Sequence, residues 1–271
     1  MPHFICATCG TQYPASDAPP PACPICEDAR QFVPEDGQRW TTMDELAREH
    51  RNVVRADGEL TGIGTEPAFA IAQRALLVPC DGRVAMWDCV TLLDAPAVAA
   101  VQERGGLAAI AISHPHYYSA MVEWGQRFEC PVLLHADDAH WIVRPDPVIE
   151  LWDGETRELG SGLTLVRCGG HFPGGTVLHW AGGAGGAGAL LSGDIVQVIP
   201  DRRHVGFMYS YPNLIPLPEA DVARIAAALA PYAFEVIYGA WWDRIVRGDG
   251  KAAVERSAER YGRALRGELP G

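Results

Sequence analysis

The chain has 271 residues, of which 48% are hydrophobic and 21% charged, and a formal net charge of −12. That composition suits a globular protein and excludes one dominated by disorder. The negative charge repels phosphate backbones, and no run approaches the ~20 apolar residues that cross a bilayer, so nucleic acid and membrane are not expected as main partners.

Residues 1 to 37 read as a separate unit. Cys6-Ala-Thr-Cys9 and Cys23-Pro-Ile-Cys26 are two Cys-x-x-Cys pairs separated by 13 residues and a Pro/Ala-rich spacer. Such a short piece has no room for an apolar core, and four thiolates on one metal would supply the missing stability. The pattern resembles rubredoxin-like and zinc-ribbon knuckles, especially the short version appended to rubrerythrins, over about 35 residues. The resemblance implies zinc or iron, since four cysteines hold either. It also makes the knuckle a candidate contact for a protein partner or a second subunit. The start of the chain, Met1-Pro2-His3-Phe4-Ile5-Cys6, lacks a basic region leading into an apolar signal core, so the expected location is cytoplasmic. Cys80, Cys89, Cys130 and Cys168 lie among apolar neighbours and read as packing thiols.

Beyond Trp40 the patterning changes. Thr42 with Glu45 three residues later forms a capping box for a short helix reaching Arg51. Asp81-Gly82 between two apolar runs, Ala75 to Val78 and Val84 to Trp87, predicts a hairpin. Ala95 to Arg104 is helical in pattern and stops at Gly105-Gly106; Leu107 to Ile112 follows as a buried strand. A helix through Ala120 to Trp124 and a strand from Pro131 to His135 come next. Leu163 to Arg167, Thr176 to Trp180 and Ala189 to Ser192 are strand-like, with the glycine-rich 182–188 as a surface turn. Pro218 to Leu229 and Ala252 to Leu265 are helices flanking a strand, Phe234 to Tyr238. The order implies two sheets with helices outside, an α+β fold of αββα layering.

The buried strand delivers His114-Pro115-His116. Two histidines at i and i+2 past a strand share one side and can grip one ion. The chain later offers Gly170-His171 and Ser192-Gly193-Asp194, so three imidazoles and a carboxylate form a plausible metal shell, zinc foremost and iron as the alternative. With Pro173-Gly174 after His171, the order and spacing of these motifs resemble the metallo-β-lactamase superfamily over roughly residues 55 to 245. The resemblance implies a metallo-β-lactamase-like unit spanning 38-271. It carries the metal-ligand roles onto His114, His116, His171 and Asp194.

The departures are equally specific. The family motif continues with Asp and His where this chain has Tyr118 and Ser119, and its last metal histidine follows a glycine where this chain has Gly239-Ala240-Trp241. Three ligands of a second metal are absent together, which predicts one ion. Asp243 and Glu123 are the candidates for rescuing a second, and a site with no metal is the third option. Asp194 is the candidate base, Tyr118 a candidate donor to an oxyanion, and His204 a candidate substrate contact from a loop over the pocket. The aromatic segment 207–213 is a lid or a pocket wall, and Trp241-Trp242 would fill the vacated second-metal space or stack on a substrate. Asp137 or Asp138 is expected to cap a helix, and His135, His140 and His179 to lie outside any metal site.

The reading is a metal-dependent hydrolase acting on a small-molecule ester, thioester or lactone. Its rivals are a redox protein pairing an iron-thiolate knuckle with a histidine-bound iron, and a non-catalytic binding or regulatory module.

Overall fold

The computed structural model describes residues 1–269. Strands β1 (His3–Cys6) and β2 (Gln12–Ala15) form a small sheet around the cysteines, and Pro24 opens the single turn α1 (Pro24–Glu27). The third strand of that sheet, β3 (Trp40–Thr42), pairs with β1 and lies beyond residue 37. Thr42 then caps α2 (Met43–Glu49) with the complete capping box that its spacing with Glu45 predicts. The helix ends at Glu49, because Arg51 already belongs to a strand.

That strand, β4 (Arg51–Asp57), pairs antiparallel with β5 (Leu60–Glu66), followed by the hairpin β6 (Ala75–Cys80) and β7 (Arg83–Trp87). Helix α3 (Ala95–Gln102), capped by Asp94, leads to β8 (Leu107–Ala111); α4 (Met121–Phe128) leads to β9 (Val132–His135) and on to β10 (Ile149–Trp152). These strands make a seven-stranded sheet in the order β10-β9-β8-β7-β6-β5-β4.

The second sheet begins with β11 (Thr156–Gly160), β12 (Leu163–Arg167), β13 (Thr176–Trp180) and β14 (Ala189–Gly193). Short pieces β15 (Gln197–Val198), β16 (Val205–Gly206), β17 (Met208–Ser210) and β18 (Ile215–Pro216) form two small ribbons. After α5 (Glu219–Leu229) come β19 (Val236–Gly239), β20 (Ile245–Val246) and α6 (Gly250–Leu265). The sheet order is β11-β12-β13-β14-β19-β20.

Side-chain alternation explains why the strands read as continuous apolar runs. On β6, Leu76 and Val78 face the second sheet and pack with Leu165, Leu178 and Leu191, whereas Ala75 and Leu77 face the helix side with Met86, Val101 and Trp124. On β14, Leu191 points between the sheets and Leu190 points to α5 and α6, among Ile225, Leu229 and Val254. Through the central strands both faces of both sheets are therefore buried, which is the αββα layering expected from the element order. At the site end of the sandwich, Arg74 is buried. It donates to Asp57 at 2.5 Å and to the Gly239 carbonyl at 2.6 Å, tying the first sheet to the end of β19. No helix among the described residues is long and apolar enough to cross a membrane.

Candidate metal centre

The chemistry collects where four strand ends meet. His114 follows β8, Asp194 follows β14, and His171 sits in the connection between β12 and β13. Asp88, directly after β7, accepts the Ser113 backbone N–H at 2.8 Å, and the Ser113 carbonyl accepts the Thr176 N–H at 2.9 Å. The Ser113 hydroxyl in turn meets His114 Nδ1 at 2.9 Å and fixes the ring. Gly193 is required by this approach. Its φ is +51°, and a Cβ there would stand 2.4 Å from the Ser113 hydroxyl oxygen.

His114 and His116 do not share a strand face. A 3-10 turn, Pro115–Tyr117, begins at once, so the two rings reach one point through different atoms. His114 Nε2 lies 3.7 Å from Asp194 Oδ2, and His116 Nδ1 lies 3.3 Å from His171 Nε2. One ligand atom from each of His114, His116, His171 and Asp194 falls within 4.8 Å of the others. Four ligands set tetrahedrally at zinc–nitrogen distances are about 3.3 Å apart, so the donor set has the span of one ion. His114 Nε2 and Asp194 Oδ1 are buried with no hydrogen-bond partner, a cost that a cation between them removes. His171 is oriented by its Nδ1 against the Tyr209 carbonyl at 2.8 Å.

Burial sets the charge state of these groups. It depresses all three imidazoles, His171 to about 4, so each is neutral at pH 7 with a lone pair to offer. It pushes Asp194 up to about 7, and also Asp88 to about 7, the latter partly opposed by the hydrogen bond from the Ser113 N–H.

The second cluster is the four cysteines. Cys6 Sγ lies 3.5 Å from Cys26 Sγ and Cys9 Sγ 3.7 Å from Cys23 Sγ, too far for disulfides and close to the about 3.8 Å edge of a tetrahedral thiolate site. Gln38 and the Cys9 N–H both point at Cys6 Sγ. Hydrogen bonding from Cys23 and Cys26 holds the Cys6 thiol well below the ordinary range. Among the described residues these two groups are the ones with metal-ligand geometry.

Two catalytic expectations are corrected. Tyr118 sends its buried hydroxyl to the Asp138 carbonyl at 3.3 Å, away from the histidines, because the 3-10 turn rotates it onto the neighbouring connection. Its neighbour Tyr117 is the tyrosine at the site, with its ring 4.4 Å from His114. His204 pairs with Asp201 at 3.0 Å and lines a groove against α6 with Ser257 and Tyr261, apart from the metal ligands. Asp138 caps no helix either; it accepts the Gly174 N–H at 2.9 Å and supports the loop that carries His171. His135 itself caps the following 3-10 turn, and His179 is held by the Ala233 carbonyl.

With this geometry in place, comparison gives the kinship. Over 272 residues, covering 99% of each chain, the sequence is 47% identical to the uncharacterized protein YmaE of Bacillus subtilis (strain 168). The chain belongs to the YmaE family. No family model matches it. Among solved structures it is similar to the DIM-1 metallo-β-lactamase, with a TM-score of 0.59 at 13% identity over 79% of this chain and 98% of that one. A B3 metallo-β-lactamase with an active-site glutamic acid gives 0.52 at 15% identity, covering 82% and 90%. MEM-A1, a subclass B3 enzyme from a soil metagenome library, gives 0.52 at 18% identity over 79% and 94%. The fold of this YmaE relative is that of the metallo-β-lactamases.

In the YmaE relative the positions that depart from the superfamily's second-metal motif are filled by packing and neutral hydrogen bonds. Ser119 donates to the Cys89 carbonyl and accepts from Gln73 at 3.0 Å; Ala240 is buried in the core beside Tyr117 and Tyr118; and Trp241 donates to the Ile71 carbonyl at 3.0 Å. Trp242 instead packs over Gly62 and Gly64 with Arg55 stacked 4.3 Å above it. Of the two rescue candidates, Glu123 pairs with Arg144 and Gln12 and Asp243 with Arg55, and neither belongs to the group of three histidines and Asp194.

The sequence also gave no warning of how the cysteine unit sits. Thr91 donates to the Gly10 carbonyl, and Gly10, at φ +81°, leaves no space for a Cβ there. Arg30, just past Cys26, donates to the His171 carbonyl at 3.3 Å and lies 3.9 Å over the Phe172 ring. Asn213 reaches back to the Ala29 and Gln31 carbonyls, and Tyr211 donates to the Asp194 carbonyl at 2.9 Å. The 207–213 segment is thus a lid packed on the ligands and clasped by the cysteine unit.

Proposed function

We propose that the protein is a metal-dependent hydrolase with one catalytic ion, held by His114, His116, His171 and Asp194, acting on an ester, thioester or lactone. The observation that carries this reading is the convergence of three neutral imidazoles and a carboxylate in a metallo-β-lactamase fold whose second-metal positions are packed shut. A divalent metal bound there, zinc foremost and iron as the alternative, would supply Lewis acidity toward a carbonyl. The chain's own groups would do the rest. Asp194 would face the ion through one carboxylate oxygen and hold and pass a proton at the other, with Tyr117 packed beside His114. Ser113 and the Tyr209 carbonyl keep His114 and His171 in the ligating orientation. The lid from Phe207 to Asn213 excludes water from the rear of the site.

The proposal includes a two-unit organisation, a rubredoxin-like or zinc-ribbon unit over 1-37 and a hydrolase unit over 38-271, with β3 drawing the edge of the first to Thr42. Four thiolates kept free for zinc or iron suit a reducing compartment, so we place the protein in the cytoplasm. The test is elemental analysis of protein purified without added metal, together with a screen of thioesters, lactones and phosphodiesters. Two metals per chain, one on His114→Ala, and loss of turnover in Asp194→Asn with metal retained are the expected results. Three metals per chain, or full turnover by Asp194→Asn, would overturn the assignment. The redox reading draws support from the Arg30 contact between the cysteine unit and the His171 loop. It requires a coloured, iron-bearing sample, whereas a zinc unit is colourless.

A further inference from the structure

A cleft of about 520 Å³ opens between the segment leaving Asp194 and the segment leaving β19. Gln197, Val198, Ile199 and Pro200 form one wall, and Trp241, Trp242 and Arg244 the other. Its size is that of a small-molecule site. Its charge is unusual for this chain. In a protein of net charge −12, Arg244 and Arg247 have no carboxylate partner among the described residues. Arg202 spends its guanidinium on backbone, donating to the Ile199 carbonyl and to the Asp243 carbonyl at 3.1 Å, and so bridges the two walls. The nearby acids are already taken: Asp201 by Arg203 and His204, Asp243 by Arg55, Asp249 by Arg256. Arg244 and Arg247 are near enough to Arg202 to depress its pKa, after burial the largest influences on it.

We propose that this cleft binds the anionic end of the substrate, a carboxylate or a phosphate, with Arg244 as the principal contact and Arg202 and Arg247 supplying field, while the tryptophan wall receives a flat or aliphatic portion. A guanidinium in the cleft wall, with that of Arg202 bridging the two walls, raises the local concentration of an anion and orients it. An arginine fork suits both oxyanions. The remainder of the substrate would then run along Gln197 and Val198 toward Asp194. This deepens the hydrolase reading by naming a substrate class, an anionic ester or thioester, and rests on that reading for the word substrate.

The test is a tryptophan-fluorescence titration of the metal-replete protein with benzoate, phenylphosphonate and the neutral benzamide at equal ionic strength. At least one anion is expected to bind tenfold or more tightly than benzamide, with the stronger of the two naming carboxylate or phosphate as the source. Arg244→Gln should weaken that anion by ten- to a hundredfold, the worth of one charged hydrogen bond. Arg203→Gln, an exposed arginine outside the cleft, should leave it unchanged. Equal binding of benzamide, or an unaltered Arg244→Gln affinity, overturns the proposal. The same titration on Asp194→Asn separates the two readings: anion binding that persists in a protein that hydrolyses nothing supports the cleft alone. Turnover of anionic esters that is indifferent to Arg244→Gln leaves the hydrolase standing and removes the cleft.

Discussion

Arg30→Ala tests whether the cysteine unit clasps the metal loop. Arg30 has 12% of its side chain exposed and makes two kinds of contact. Its pairing with Asp28, at 2.6 Å, stays within the cysteine unit and contributes nothing to the clasp. The bond to the His171 carbonyl, at 3.3 Å, is worth about 1.5 kcal/mol, the low end for a charged donor. The desolvated stack over Phe172, at 3.9 Å, adds about 1.5 kcal/mol. Together, about 3 kcal/mol corresponds to roughly a hundredfold in the equilibrium for lifting residues 28–31 off the loop. Hydrogen exchange read by mass spectrometry on peptides covering 28–33, 169–173 and 207–213 should accelerate by that order, with β12 and β13 unaltered and metal content unchanged. Acceleration confined to 28–33, with the other two peptides slower to respond than threefold, would refute the argument. Arg30→Lys, which keeps the charge and loses the fork, should fall between the two.

Asp57→Asn strands the buried Arg74 charge and should cost about 3–5 kcal/mol, lowering the calorimetric midpoint by at least about 6 °C; a drop under 2 °C would contradict the pairing. Cys23→Ala should remove one metal per chain and the exchange protection of residues 1–42, whose apolar core is small, while the histidine site keeps its ion; retention of full metal content would rule out the thiolate site. Burial holds Asp138 up at about 6, above its ordinary 3.8, so the folded state binds the proton more tightly and its penalty is absent below about pH 4 and complete above about pH 6. The stability of wild type relative to Asp138→Asn should therefore decline as pH rises through that window in urea titrations, and a flat difference would show that the carboxyl is not desolvated.

Features that repeat or that are spelled by short motifs were legible in the sequence. The two Cys-x-x-Cys pairs, the Thr42 capping box and the Asp81-Gly82 turn each depend on neighbouring residues, and each is where its spacing placed it. The grouping of His114, His116, His171 and Asp194 was visible through resemblance, although the alternation argument for His114 and His116 was not the operating cause. Strand β5 was missed because glycines at 62 and 64, packed against the Trp242 ring, break the alternation. Side-chain direction was the other failure. Nothing in a Tyr-Tyr pair states that a 3-10 turn gives Tyr117 to the site and Tyr118 to the Asp138 carbonyl. Asp88 carried a readable signal, a carboxylate directly after a buried strand adjacent to the histidine strand. Arg30 carried none, since its role depends on a docking between segments 141 residues apart.

Arg74 has a meaning beyond holding two sheets together. It donates to the carbonyl of Gly239 and its own N–H reaches the carbonyl of Ala240, the positions where the superfamily's final metal histidine would stand. It also faces Asp57 and Asp88. The positive charge at this end of the sandwich is written into the gene as a guanidinium. A chelator does not extract it, metal starvation does not lower its occupancy, and no competing cation displaces it. The Asp57 and Asp88 carboxyls at this end face a charge that is set once, at folding, and does not depend on the cell's metal supply.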